Sequence, residues 1–115
     1  EMVNMAMKMV IAVVQDDDSG ELVERLVQGS FSTTKLASTG GFLKEGNTTL
    51  LVGVPEKKVD EVIAIIKEVC QSRKQTFTTP IPPTGSASVF IPYPIDVMVG
   101  GATIFVLDID RFEKV

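Results

Sequence analysis

The sequence predicts an α+β sandwich of βαββαβ order, the ferredoxin-like arrangement, on three observations. Met7–Gln15 (M-K-M-V-I-A-V-V-Q) is a β-branched run with apolar residues on both faces, the pattern of a central strand. Two stretches carry apolar residues at helical spacing, Leu22-Val23-Leu26-Val27 and Val59-Val62-Ile63-Ile66-Val69, each with charged residues on the opposite side. Between and after them lie strand-like runs at Thr33–Thr39, Thr48–Val54 and Asp96–Leu107.

Taken in order, Asp16-Asp17-Asp18-Ser19-Gly20 ends the first strand pattern, and Asp18 with Glu21 resembles a capping box with Asp as the cap. The aspartates lack the alternation and terminal glutamate of a calcium loop, so they read as capping and solvation. Gly29 suits the position just past the helix end. Thr33–Thr39 and Thr48–Val54 then form a hairpin around a long glycine-rich tip, and Pro55 opens the second helix from its favoured first-turn position. Gln71–Pro94 holds five of the six prolines; a connection of that length is uncommon in a compact domain and is usually functional. Within it, Gln75–Thr79 and Ser88–Ile91 are suited to pair as short strands of an arm. No repeat and no second domain is visible. The expected organisation is an N-terminal extension at 1–6 and one domain at 7–115, with the proline-rich loop at about 71–95.

Composition narrows the function. A chain of 115 residues, 44% apolar and 23% charged, is an ordinary globular domain. Its net charge of −4 argues against polymeric nucleic acid and anionic membranes as partners, though not against a small phosphate ligand held by local amides. No apolar run approaches the roughly 18 residues of a membrane span. The start, Glu1 to Met7, is neither basic nor long enough for a signal peptide and reads as a processed or appended end. Cys70 is the only cysteine, which excludes an internal disulfide and points to a reducing, cytoplasmic setting. Its place at the end of an apolar helical pattern makes it a buried structural thiol. Histidine is absent, removing the commonest general base and metal ligand together. There is no Ser/His/Asp or Cys/His set, and Asp108 and Asp110 read as the polar end of a strand. The expectation is a protein that is not an enzyme, with no catalytic residue, metal or cofactor.

The stretch with most to say is Thr33–Gly53, T-T-K-L-A-S-T-G-G-F-L-K-E-G-N-T-T-L-L-V-G. Gly41 to Thr48 differs from a Walker A loop at one position, with Asn47 in place of lysine. A P-loop must also open a helix, whereas Thr48-Thr-Leu-Leu-Val continues as a strand, so nucleotide hydrolysis is rejected. A plain glycine hairpin turn is the ordinary reading of such a tip. Phe42-Leu43 weighs against it, because a large apolar pair on a tip needs a partner surface or a ligand base to cover it. An aromatic ring there is suited to stacking on adenine. Gly100-Gly101 inside the last apolar run points either to a tight turn or to a group lying close to the backbone. Lys35, Lys44 and Lys114 are each able to meet a phosphate, although an isolated lysine is usually only a solvated charge.

Three segments carry a resemblance: M-K-M-V-I-A-V-V-Q-D, T-K-L-A-S-T-G-G-F-L-K-E-G-N-T-T-L-L-V-G-V and I-P-Y-P-I-D-V-M-V-G-G-A-T-I-F-V-L. They closely resemble the PII-like cyclic di-AMP receptor proteins of Firmicutes and related bacteria, over Met7 to Phe112. The resemblance implies a ferredoxin-like protomer in a homotrimer, with cyclic di-AMP bound in clefts between neighbouring protomers and loop changes read by an unknown downstream protein. It implies ligand contacts at Thr34, Gly41, Phe42, Leu43, Asn47 and Gly53. Thr34 would bond near a phosphate, Gly41-Phe42-Leu43 would supply backbone and base contacts, Asn47 would read adenine, and Gly53 would make room. Some members carry arginine where this chain has Ser32, a loss of one charge-assisted contact for which Lys35 is the candidate replacement. Ser32, Lys35, Gly100 and Gly101 complete the candidates. A PII-like sensor of another adenine nucleotide such as ATP, or a purely structural trimer, would use the same fold.

Overall fold

A computed structural model describes residues 6–36, 46–80 and 92–115. The elements run β1 (Met7–Gln15), α1 (Asp16–Gln28), β2 (Thr33–Leu36), β3 (Asn47–Pro55), a 3-10 turn (Glu56–Lys58), α2 (Val59–Cys70), β4 (Arg73–Pro80), β5 (Pro92–Val99) and β6 (Ala102–Asp108). Four strands form one sheet in the order β2-β3-β1-β6, and β4 and β5 form a separate two-stranded ribbon. All the pairings are antiparallel. This α+β layout is consistent with a ferredoxin-like sandwich, and β1 occupies the central position that its two apolar faces predict.

Alternation along the strands divides the sheet into two faces. Val10, Ala12 and Val14 of β1 and Leu50, Val52 and Val54 of β3 face the helices and are fully buried. They pack with Leu22 and Leu26 of α1 and Val62, Ile66 and Val69 of α2 in one core, which Phe31 and Cys70 close at its margins. The opposite face of the sheet is also apolar, but no element of the described chain covers it. Register aligns Leu51, Ile11 and Phe105 in one row across it, and Gly53, Met9 and Leu107 in the next. Phe105 and Leu107 are 52% and 48% exposed.

Several local expectations are corrected. Asp18 is not the N-cap: α1 begins at Asp16, Gln15 is the cap residue, and no side-chain cap bond forms. The three aspartates sit within the first turn, where the helix dipole favours negative charge. Gly29 does follow the helix, but with an ordinary φ of −83°, and the positive φ falls on Ser30. The smallness of Gly29 serves packing instead, since a Cβ there would stand 3.0 Å from the Phe31 ring. Val27, placed on the apolar face by spacing, is exposed. Pro55 ends β3 and precedes the 3-10 turn rather than opening α2.

The largest correction concerns the last strand. Asp96–Leu107 is not one strand but parts of two, interrupted at Gly100-Gly101, where φ is +84° and +92°. An arm does form within the proline-rich connection, but β4 pairs with Pro92–Val99. Ser88–Ile91, the expected partner, lies outside the described residues, as do residues 1–5 and the tip segment 37–45. Proline terminates both strands of this ribbon, with Pro80 opposite Pro92.

Candidate ligand-binding site

Two strand ends and a glycine joint meet at one edge of the sandwich. β1 ends at Gln15, β3 begins at Asn47 directly opposite it in register, and the Gly100-Gly101 break lies beside the start of β6. Between them opens a cleft of about 470 Å³ lined by Val13, Val14, Gln15, Gly46, Asn47, Gly100, Gly101, Ala102 and Thr103. Its three glycines all have positive φ, Gly46 at +90°, so each turns the chain in a way that side-chain-bearing residues resist. Gln15 accepts the Gly100 amide at 2.7 Å through Oε1, which leaves its amide nitrogen as a donor. The cleft thus offers two carboxamides, the Thr103 hydroxyl and glycine backbone, with Val13, Val14 and Ala102 as apolar wall.

The feet of the surrounding loops are tied to the first turn of α1. The Asp16 amide donates to the Gly46 carbonyl at 2.8 Å, and the Asp16 carboxylate accepts from the Thr48 hydroxyl. Asp18, 6% exposed, receives the Arg73 guanidinium at 2.9 and 3.3 Å in a two-armed bridge. Arg73 also donates to the Gln71 carbonyl at 3.1 Å. Its hydrogen bond with Asp18 raises the Arg73 pKa further above its already high ordinary value, against the opposing effect of desolvation. Gly100 is required here by close approach, because a Cβ would stand 2.5 Å from both Arg73 Nη1 and the Gln71 carbonyl. Cys70 is buried and unpaired, as expected of a structural thiol. Burial pushes it up to about 11, with Asp18 adding to the rise and Arg73 opposing it.

Of the residues singled out from sequence, Asn47, Gly100 and Gly101 come together in the cleft. Thr34 lies elsewhere, exposed on the edge strand β2 and opposite Leu51 on the uncovered sheet face. Gly53 is on the same face, six residues along β3 from Asn47, or about 20 Å at strand rise. An added Cβ at Gly53 would meet nothing nearer than Ile109 Cδ1 at 4.0 Å, so the glycine leaves a recess. Ser32, one step before β2, would fall opposite Gly53 if the register continued, and both Ser32 and Lys35 are exposed. Gly41, Phe42 and Leu43 lie outside the described residues. Gln15, Thr103 and the Asp18–Arg73 pair were not singled out. Only the β alternation of Gln15 and the polar break in the run around Thr103 marked them in sequence. No group of three metal-ligating side chains occurs among the described residues, nor is any described helix long and apolar enough to cross a membrane.

A family model described as cyclic-di-AMP receptor matches residues 7–115. The solved structure of a functionally unknown protein from Pediococcus pentosaceus ATCC 25745 superposes with a TM-score of 0.77 at 42% identity, over 96% of this chain and 99% of that one. A DUF3240-family protein from Shewanella baltica OS155 matches with a TM-score of 0.57 at 9% identity, over 95% and 96% of the two chains, which is a likeness of fold alone.

Proposed function

The chain belongs to the cyclic-di-AMP receptor family, and from that premise we propose that it is a non-enzymatic, cytoplasmic, PII-like receptor. It binds cyclic di-AMP between the protomers of a homotrimer and passes the signal to a protein partner through its loops. The family match across residues 7–115 carries this reading. The fold supports it in two ways. The uncovered apolar sheet face is a surface for which neighbouring protomers supply a cover. The site residues on it, Thr34 and the Gly53 recess, are then shared with the cleft and tip through the adjoining protomer.

The chemistry is recognition without turnover. Two phosphodiesters carry two negative charges, which amides and hydroxyls are able to offset without a basic patch. Thr34 donates near a phosphate, Gly53 clears space, and Asn47 reads an adenine edge. Phe42 and Leu43 cover the base, a contact worth about 1–3 kcal/mol where an aromatic ring stacks. Signalling requires the ligand to prefer one arrangement of tip and arm over another.

Calorimetric titration with cyclic di-AMP, ATP, ADP and cyclic di-GMP is the test. Heat with cyclic di-AMP and none with cyclic di-GMP is the expected result. Heat with ATP alone would make the chain a sensor of another adenine nucleotide, and silence with all four would leave a structural assembly. Asn47→Ala and Phe42→Ala should weaken binding without lowering the melting temperature of the free protein.

A further inference from the structure

The three aspartates that open α1 do not cap it, and two of them hold the feet of different hairpins. Asp16 binds the tip hairpin at Gly46 and Thr48. Asp18 binds the arm at Arg73, fifty-five residues away in sequence. Residues two apart on a helix point about 200° from one another, so one turn reaches to both sides. The chain of contacts continues around the cleft: Arg73 lies against Gly100, and Gly100 donates to Gln15, the residue that precedes the turn and faces Asn47. Gly101 in turn donates to the Cys70 carbonyl at 2.5 Å, fixing the arm's exit to the end of α2.

We propose that the first turn of α1 couples the tip hairpin to the arm, and that Arg73, which does not line the cleft, is a positioning residue for ligand binding. It sets the Gly100-Gly101 wall by bridging that wall to Asp18. A buried carboxylate with a two-armed guanidinium partner has few alternative arrangements, since losing the partner leaves the charge uncompensated. The wall and the foot of the tip therefore shift together, and a disturbance at either foot is felt at the other. The identity of the ligand rests on the receptor reading; the coupling does not.

The experiment pairs calorimetry with amide hydrogen exchange on the full chain, using Arg73→Gln, Arg73→Lys and Thr48→Val. Arg73→Gln should weaken cyclic di-AMP binding about tenfold, the size of one lost charge-assisted hydrogen bond. It should also speed exchange at residues 46–50 as well as along β4. Arg73→Lys keeps the charge without the fork and should recover part of both losses. Thr48→Val should speed exchange along Arg73–Pro80 in return. Exchange changes confined to the mutated hairpin in both variants would overturn the coupling, and wild-type affinity in Arg73→Gln would overturn the positioning role. If the unaltered protein gives no heat with cyclic di-AMP, the receptor reading and with it the positioning role fall, while the exchange data still decide the coupling. Asp18→Asn, which keeps the shape of the side chain, is read by the same criteria if Arg73→Gln does not fold.

Discussion

The two faces of the four-stranded sheet are built from alternate residues of the same strands, yet they meet different fates. Val10, Ala12 and Val14 are sealed beneath the helices, while Ile11 and Met9, their immediate neighbours in sequence, share a face with exposed Phe105 and Leu107. Both faces are apolar, so hydrophobicity alone does not tell which of them the helices cover. The difference is in what interrupts them. On the helix side the β1 and β3 residues are fully buried, although Val106 beside them on the edge strand β6 is 44% exposed, whereas the open row contains Gly53, where among the described residues an added Cβ would meet only Ile109 Cδ1, at 4.0 Å.

The comparison is broken most forcefully from the covered side. Ile66→Ala removes a fully buried side chain from the helix layer and should cost about 2–5 kcal/mol, read as a lower urea midpoint. On the open face, Phe105→Asp should leave the far-ultraviolet circular dichroism of the chain in place while reducing the sedimenting mass of the proposed trimer to that of a monomer. A trimer that survives the substitution would detach assembly from this face. Gly53→Ala separates stability from function. Relief of glycine's entropy in a strand should raise stability by roughly 0.5–1 kcal/mol, whereas filling the recess should weaken cyclic di-AMP binding by about tenfold, which calorimetry resolves.

The covered side also carries a pH dependence. The Cys70 thiol titrates near 11 when folded, against an ordinary value of 9.0. Between those values the native state holds the proton that the unfolded state releases, so stability falls as pH rises from 9 to 11. Chemical unfolding at pH 8 and pH 10.5 should show that slope, and Cys70→Ala should flatten it.

Much of the sandwich was legible because its elements are locally periodic. β1, β3 and both helices follow from spacing alone, and the central place of β1 from its two apolar faces. The last strand was misread because the β pattern continues across Gly100-Gly101; only the three-dimensional approach of Arg73 and the Gln71 carbonyl explains why the chain turns there. Asp18 was misread for a similar reason. Its partner Arg73 lies on a different element, so nothing local distinguishes a buried bridge from a cap. Asn47 was found through its neighbours in the tip, while Gln15, which faces it across the β1–β3 register, ends an unremarkable strand and carried no motif.

The paired glycines have one more consequence. They separate two hydrogen-bonding lattices, because β5 keeps register only with β4 while β6 keeps register only with β1. Matched residues are therefore free to be added to or removed from the two strands of the ribbon without sliding the sandwich by a single position. The length of the arm is an independent variable of this architecture, open to lineage-by-lineage change or to grafting, so long as Arg73 and the glycine joint are kept at its base.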